Sequence, residues 1–125
     1  MKKSAALELW RNAVIEAKNS QLLNAEWIEV AVLPNARMKN IWARAVRSLN
    51  WSTYILQLNQ SAPDKGPSVQ MLADHEVCHC VLFKLADQCD CKLDDLEAKH
   101  PEFGRFIESL CDHIAAVCRN MRERP

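Results

Sequence analysis

Val69 to Ala86 is a helix-length stretch with Leu72, Val77, Val81, Leu82, Phe83 and Leu85 spread over several sides. A helix that is apolar nearly all round is one the rest of the fold encloses, so this segment dictates that the remaining chain wrap it. It nevertheless carries His75, Glu76 and His79, and buried polar groups without partners are costly. Together they form H-E-x-x-H, a pattern in which two histidines bind zinc and the glutamate acts as general base. Residues four apart share a helix face. His75 and His79 can therefore direct two imidazole nitrogens at one ion about 2 Å away, and Glu76 projects to the side where a water on that ion sits. A zinc ion would satisfy the polar groups that the apolar helix otherwise strands.

A chain of 125 residues fits a single domain, taken here as residues 1–125, with one real core. No apolar run reaches the 18 or more residues of a membrane span. Lys2 and Lys3 are followed by the amphipathic Leu7, Glu8, Leu9, Trp10 and Arg11 instead of a continuous apolar region, so no signal peptide is expected. The formal net charge is zero, which gives no electrostatic footprint for nucleic acid. Six cysteines without a secretory signal point to reduced thiols or metal ligands in a cytoplasmic protein. The oligomeric state has no signature.

The N-terminal segment repeats Leu7, Trp10, Val14 and Ala17 at helical spacing and should fade between Asn19 and Asn24. Trp27 to Leu33, rich in β-formers and ended by Pro34-Asn35, reads as a strand with Ile28, Val30 and Val32 on one face. Ile41 to Arg47 fits a strand or a helix, the strand being favoured because the next segment leads into a clearer one, Thr53 to Asn59. Residues 60–67 hold Ser61, Pro63, Asp64, Gly66 and Pro67 and read as a loop. Residues 87–97 read as an acidic connection. Pro101 opens a last helix whose Phe103, Phe106, Ile107, Leu110, Ile114, Val117 and Met121 are strongly periodic. Arg119, Arg122 and Arg124 read as a solvated, dipole-complementing end. The expected class is α+β: an N-terminal helix, a sheet of about three strands, a buried motif helix and a C-terminal amphipathic helix.

A catalytic zinc takes three protein ligands and keeps one position for water. His100, at the start of the last helix, is the leading candidate for the third. His113 fits a flank better than a ligand, and Glu97 and Glu108 are further possibilities. Cys78 and Cys80 lie off the His75/His79 face and read as core thiols. Cys89 and Cys91 could close a structural site, although no C-x-x-C spacing is present.

This order of elements, with His75-Glu76-Val77-Cys78-His79 on a helix after the strand Ile55-Leu56-Gln57-Leu58-Asn59 and with His100-Pro101-Glu102-Phe103 downstream, resembles the SprT-like zinc metallopeptidases and the small stand-alone metallopeptidases of phages. The likeness covers roughly residues 26–110. It implies a minimal zincin-like domain, zinc on His75, His79 and His100, and Glu76 as catalytic acid/base. It further implies that a peptide or protein substrate lies extended along the strand of Tyr54, Leu56 and Leu58. Pro101 stands where that family has Gly, and Phe103 follows the histidine at three positions instead of four. Neither a zinc ribbon nor a basic DNA-binding extension is present, so a DNA-linked role does not carry over.

The expectation is therefore a zinc metalloendopeptidase. The alternatives are a zinc-stabilised protein-interaction domain without catalysis and a small regulatory protein without metal.

Overall fold

The computed structural model describes residues 1–21, 27–48, 53–88 and 92–124. Its elements, in chain order, are α1 (Lys3–Ser20), β1 (Ile28–Leu33), α2 (Asn35–Met38), β2 (Ala43–Arg47), β3 (Tyr54–Asn59), α3 (Ala62–Lys65), α4 (Val69–Gln88), α5 (Leu93–Lys99) and α6 (Pro101–Glu123). The class is α+β, as the alternating strands and the two 3.6-period helices require.

The sheet order is β1-β3-β2. β1 runs parallel to β3, with Ile28 opposite Tyr54 and Val32 opposite Leu58. β2 runs antiparallel to β3, with Ala43 opposite Leu58 and Ala45 opposite Leu56. Ile41–Arg47 is thus strand in its second part, and the strand expected over Thr53 to Asn59 sits in the middle of the sheet. Asn59, fully buried, holds the crossover that delivers β2: its Nδ2 donates to Asn35 Oδ1 at 2.7 Å and to the Ile41 carbonyl at 3.1 Å. Two short helices occupy stretches expected to be irregular. Pro63 sits in the first turn of α3, where a missing N–H is harmless, and α5 lies within the acidic connection.

One face of the sheet packs against α1 and α4. Ala6, Trp10, Val14 and Ala17 of α1 meet Ile28, Val32, Leu56 and Leu58, with Ala73, Val77 and Cys80 of α4 completing the core. Trp10 Nε1–H donates to the Leu56 carbonyl at 2.8 Å, so the indole is satisfied within the core. The other side of α4 receives α6 through Cys78, Leu82, Phe103, Ile107, Cys111 and Ile114. The motif helix is therefore enclosed by α1, the sheet and α6, as its apolar circumference demands. No helix among the described residues is long and apolar enough to cross a membrane.

The residue before His75 anchors that enclosure. Asp74 is fully buried and paired with the Arg122 guanidinium, whose Nη1 also donates to Ser20 Oγ at 3.0 Å. Gln21 Nε2 donates to the Asp74 carbonyl at 2.9 Å. α1, α4 and the C-terminal part of α6 thus meet at one carboxylate, and Arg122, expected as part of a solvated end, is a structural member. The Asp74 side drives Arg122's guanidinium further toward its charged form. Arg122→Ala leaves the buried Asp74 carboxylate with only the long contact from Gln70 Nε2 at 3.4 Å and is expected to lower stability by about 2–3 kcal/mol, just under the usual cost for such pairs because one edge of the guanidinium reaches water. A fall of about 10 °C in melting midpoint would report it. Joint replacement by Leu at Asp74 and Met at Arg122 should recover most of the loss, whereas an Arg122→Ala midpoint equal to the parent's would show the pair to be dispensable.

Candidate metal centre and cleft

α4 places His75 and His79 one turn apart, with Nε2 atoms 3.0 Å from each other. From α6, Glu108 presents Oε2 at 3.0 Å from His75 Nε2 and Oε1 at 3.0 Å from His79 Nε2. Ligands held about 2 Å from one ion stand about 3 Å apart, so these separations match a shared ion. His75 Nδ1 lies 2.8 Å from Asp112 Oδ1. In the neutral ring this carboxylate holds the proton on Nδ1 and leaves the Nε2 lone pair facing His79 and Glu108, the tautomer a metal requires. Glu108 and Asp112 are themselves one turn apart on α6, so a single helix face supplies both carboxylates.

His75, Glu76 and His79 form a group whose donor atoms all lie within 4.8 Å of one another, a set that could hold a metal ion. Two imidazole nitrogens with carboxylate oxygen are the donors zinc accepts. Glu76 is only 7 % exposed. Burial pushes its carboxyl up to about 7; the His75 side opposes this, Glu108 adds to it, and a hydrogen bond from the backbone N–H of Ala45 opposes it again. Burial also lowers the basicity of His79, against the pull of Glu108, which favours the neutral imidazole that a metal needs.

The Ala45 contact follows from the register of β2. Asn59 N–H donates to the Trp42 carbonyl and Ser48 N–H to the Thr53 carbonyl, so the even-numbered residues of β2 turn their peptide groups toward β3. The odd ones, Ala43 and Ala45, turn theirs outward. β2 is an edge strand beside the metal-ligand face of α4, and a cleft of about 580 Å³ opens between it and α5–α6. Ala43, Arg44, Ala45, Phe83, Glu97 and Ile107 line it together with the histidines, Glu76 and Glu108.

Three of the expected site residues come together: His75, Glu76 and His79. His100 does not join them. It caps the α5–α6 junction, its side chain is 61 % exposed with Nδ1 3.5 Å from Glu102 Oε1, and it does not line the cleft. Pro101 starts α6 immediately after it, and the carboxylate brought to the Nε2 atoms is that of Glu108, two turns further along. His113 is exposed on α6 and likewise lies outside the cleft lining.

Tyr54, Leu56 and Leu58 are buried beneath the sheet, at 4 %, 0 % and 0 % exposure. The expectation that a substrate lies along their strand fails because both edges of β3 are paired. Tyr54 Oη donates to Asp87 Oδ2 at 2.6 Å, and its ring stacks on Phe83. Burial and the bond to Asp87 raise its ionisation well above the usual range. The strand edge available at the cleft is β2.

Cys80 is fully buried in the main core, and burial raises its thiol strongly. Cys78 shares a thiol–thiol hydrogen bond with Cys111 of α6, which lowers Cys78 and raises Cys111. Cys78 and Cys80 are core residues, as expected from their helix face. Cys89 and Cys91 lie outside the described residues.

Asp112→Ala is expected to weaken zinc binding by about 10–100-fold, the usual effect of removing a carboxylate behind a ligating histidine. Competition with a chromogenic chelator measures it, and unchanged affinity would remove Asp112 from the site. No family model matches the chain, and no curated protein or solved structure matches it.

Proposed function

We propose that the protein is a zinc-dependent metallopeptidase, with His75, His79 and Glu108 holding the metal and Glu76 as general base. The observation that carries this reading is the convergence of two Nε2 atoms and the Glu108 carboxylate at 3.0 Å separations beside the Glu76 carboxylate. Zinc, when bound, supplies Lewis acidity, lowering the pKa of a water and polarising a carbonyl. Glu76 takes a proton from the attacking water onto its carboxylate and delivers it to the amine that leaves. Ala45 N–H keeps the Glu76 side chain aimed into the cleft between these transfers. Ala45 N–H is taken by Glu76, and the outward groups left on β2, Ala43 N–H and the Ala43 and Ala45 carbonyls, offer an extended substrate a strand to pair with, while the carboxylate of Asp112 keeps His75 oriented.

The reading includes a peptide or protein substrate and a cytoplasmic setting, the latter in keeping with the buried free thiols of Cys78, Cys80, Cys111 and Cys118. It also agrees with the SprT-like resemblance in the motif helix, with a glutamate in place of the downstream histidine.

Protein prepared without chelator is expected to carry about one zinc per chain and to cleave unstructured peptides, with activity lost to a chelator and restored by zinc. Stoichiometric zinc without cleavage of any peptide in a broad library would favour the non-catalytic, zinc-stabilised domain instead. A zinc content near zero after refolding with the metal would reject both.

A further inference from the structure

The cleft has a charged wall that the hydrolytic chemistry leaves unused. Glu97, in the last part of α5, is half-buried and lines the cleft, as Arg44 of β2 also does. Its side chain lies over Gly104 of α6: a Cβ built there would meet Glu97 Cδ at 3.8 Å, Cγ at 3.9 Å and Oε2 at 4.0 Å. Gly104 is one helical turn before Glu108, so Glu97 is seated over α6 one turn from the residue that carries the candidate metal ligand. The acidic groups beside it have other tasks. Glu108 faces both histidines, and Asp112 faces His75 Nδ1. The side chain of Arg44 is engaged by its cross-strand partner, its Nε donating to Gln57 Oε1 at 2.5 Å. The Glu97 side chain makes no hydrogen bond or ion pair among the described residues, and a half-buried carboxylate left in that state favours a cation.

We infer that Glu97 is a specificity residue that accepts a lysine or arginine side chain of the substrate next to the scissile bond. This rests on the peptidase reading above. The surroundings suit the whole of such a side chain. Ile107, one turn from Gly104 and buried, and Phe83 on α4 give the cleft an apolar floor for the methylene stem, while the charged head reaches Glu97 at the half-exposed rim. A peptide paired with β2 presents alternate side chains across the cleft, which sets one of them toward α5.

The test compares two peptide hydroxamates that chelate zinc and differ only in lysine or norleucine at the flanking position, so the stem is kept and the charge is changed. Calorimetric binding to zinc-loaded protein reads recognition without turnover. The parent is expected to bind the lysine compound about tenfold more tightly, the size of a half-buried charge-assisted pair, with the preference shrinking as salt rises. Glu97→Gln should erase the preference while leaving norleucine affinity unchanged, and Glu97→Lys should reverse it. Cleavage sites in a peptide library should carry Lys or Arg beside the cut with the parent and lose that bias with Glu97→Gln. Equal binding of the two hydroxamates by the parent, or a preference that survives Glu97→Gln, overturns the inference and leaves the metal centre standing. If neither hydroxamate binds the zinc-loaded parent, the peptidase reading falls and this inference falls with it.

Discussion

Glu76→Gln should abolish peptide hydrolysis, by about 10³-fold or more, while the protein keeps its fold and its zinc. General-base catalysis by a positioned side chain contributes about 10²–10⁴-fold, and 10³-fold corresponds to about 4 kcal/mol of barrier. Glutamine is a clean probe at this position for a structural reason. Its side-chain carbonyl can still accept the N–H of Ala45, so the strand–helix contact that aims Glu76 is preserved. The substitution also removes a carboxyl that burial disfavours when ionised, so stability should be unchanged or slightly higher. Turnover of a fluorogenic peptide, metal content and melting midpoint would be measured on the same preparation. Parent-like turnover in this variant would mean that Glu76 is not the base.

Glu108→Ala should weaken zinc binding by about 10³-fold, an order beyond the 10–100-fold expected for loss of an outer partner such as Asp112. The Glu108 carboxylate is the acidic group that faces both Nε2 atoms at 3.0 Å, and without it the imidazoles keep only the carboxylate of Glu76 nearby, the group assigned to the water. Its side chain is 60 % exposed, so the change should cost little folding stability in the metal-free protein. His100→Ala is the informative companion. With its ring 61 % exposed at the helix junction, this variant should bind zinc as the parent does. The opposite pattern, affinity lost with His100→Ala and kept with Glu108→Ala, would return the third-ligand role to His100.

The contrast between these two residues shows where local sequence carries information. The motif helix was legible because its apolar residues and its H-E-x-x-H polar set conflict unless something encloses the one and satisfies the other. α6 was legible from its period, and Cys78 and Cys80 were placed in the core by helix geometry alone. Glu108 ranks only as a further possibility behind His100 in the sequence, because a lone acidic residue on an amphipathic helix looks like solvated surface. What sets it apart is the packing of Cys111 against Cys78, which turns one face of α6 toward the histidines. A usable signal existed in Glu108 and Asp112, spaced four apart and flanking the core-facing Cys111. Arg122 was misjudged for a similar reason, since its partner Asp74 lies 48 residues away in sequence.

Sheet order was the other hidden quantity. A segment as apolar as Tyr54 to Asn59 reads as strand at once, but whether it lies at an edge or in the centre depends on which side the crossover from β1 takes. Its burial on the core face and its near-continuous apolar run are what a central strand shows, and a lone strand cannot reveal its neighbours. α5 was missed because Leu93-Asp94-Asp95-Leu96-Glu97 is dominated by charge, and a seven-residue helix leaves too short a period to detect.

The division of the candidate ligands between two helices has a mechanical consequence. His75 and Glu108 are 33 residues apart in sequence, so an ion joining them would close a long loop as a covalent cross-link does, restricting the unfolded chain as well as binding the folded one. Metal affinity and the docking of α6 would then be a single coupled equilibrium. α6 would serve as a reversible clasp, and whatever lifts it from α4 would release the ion.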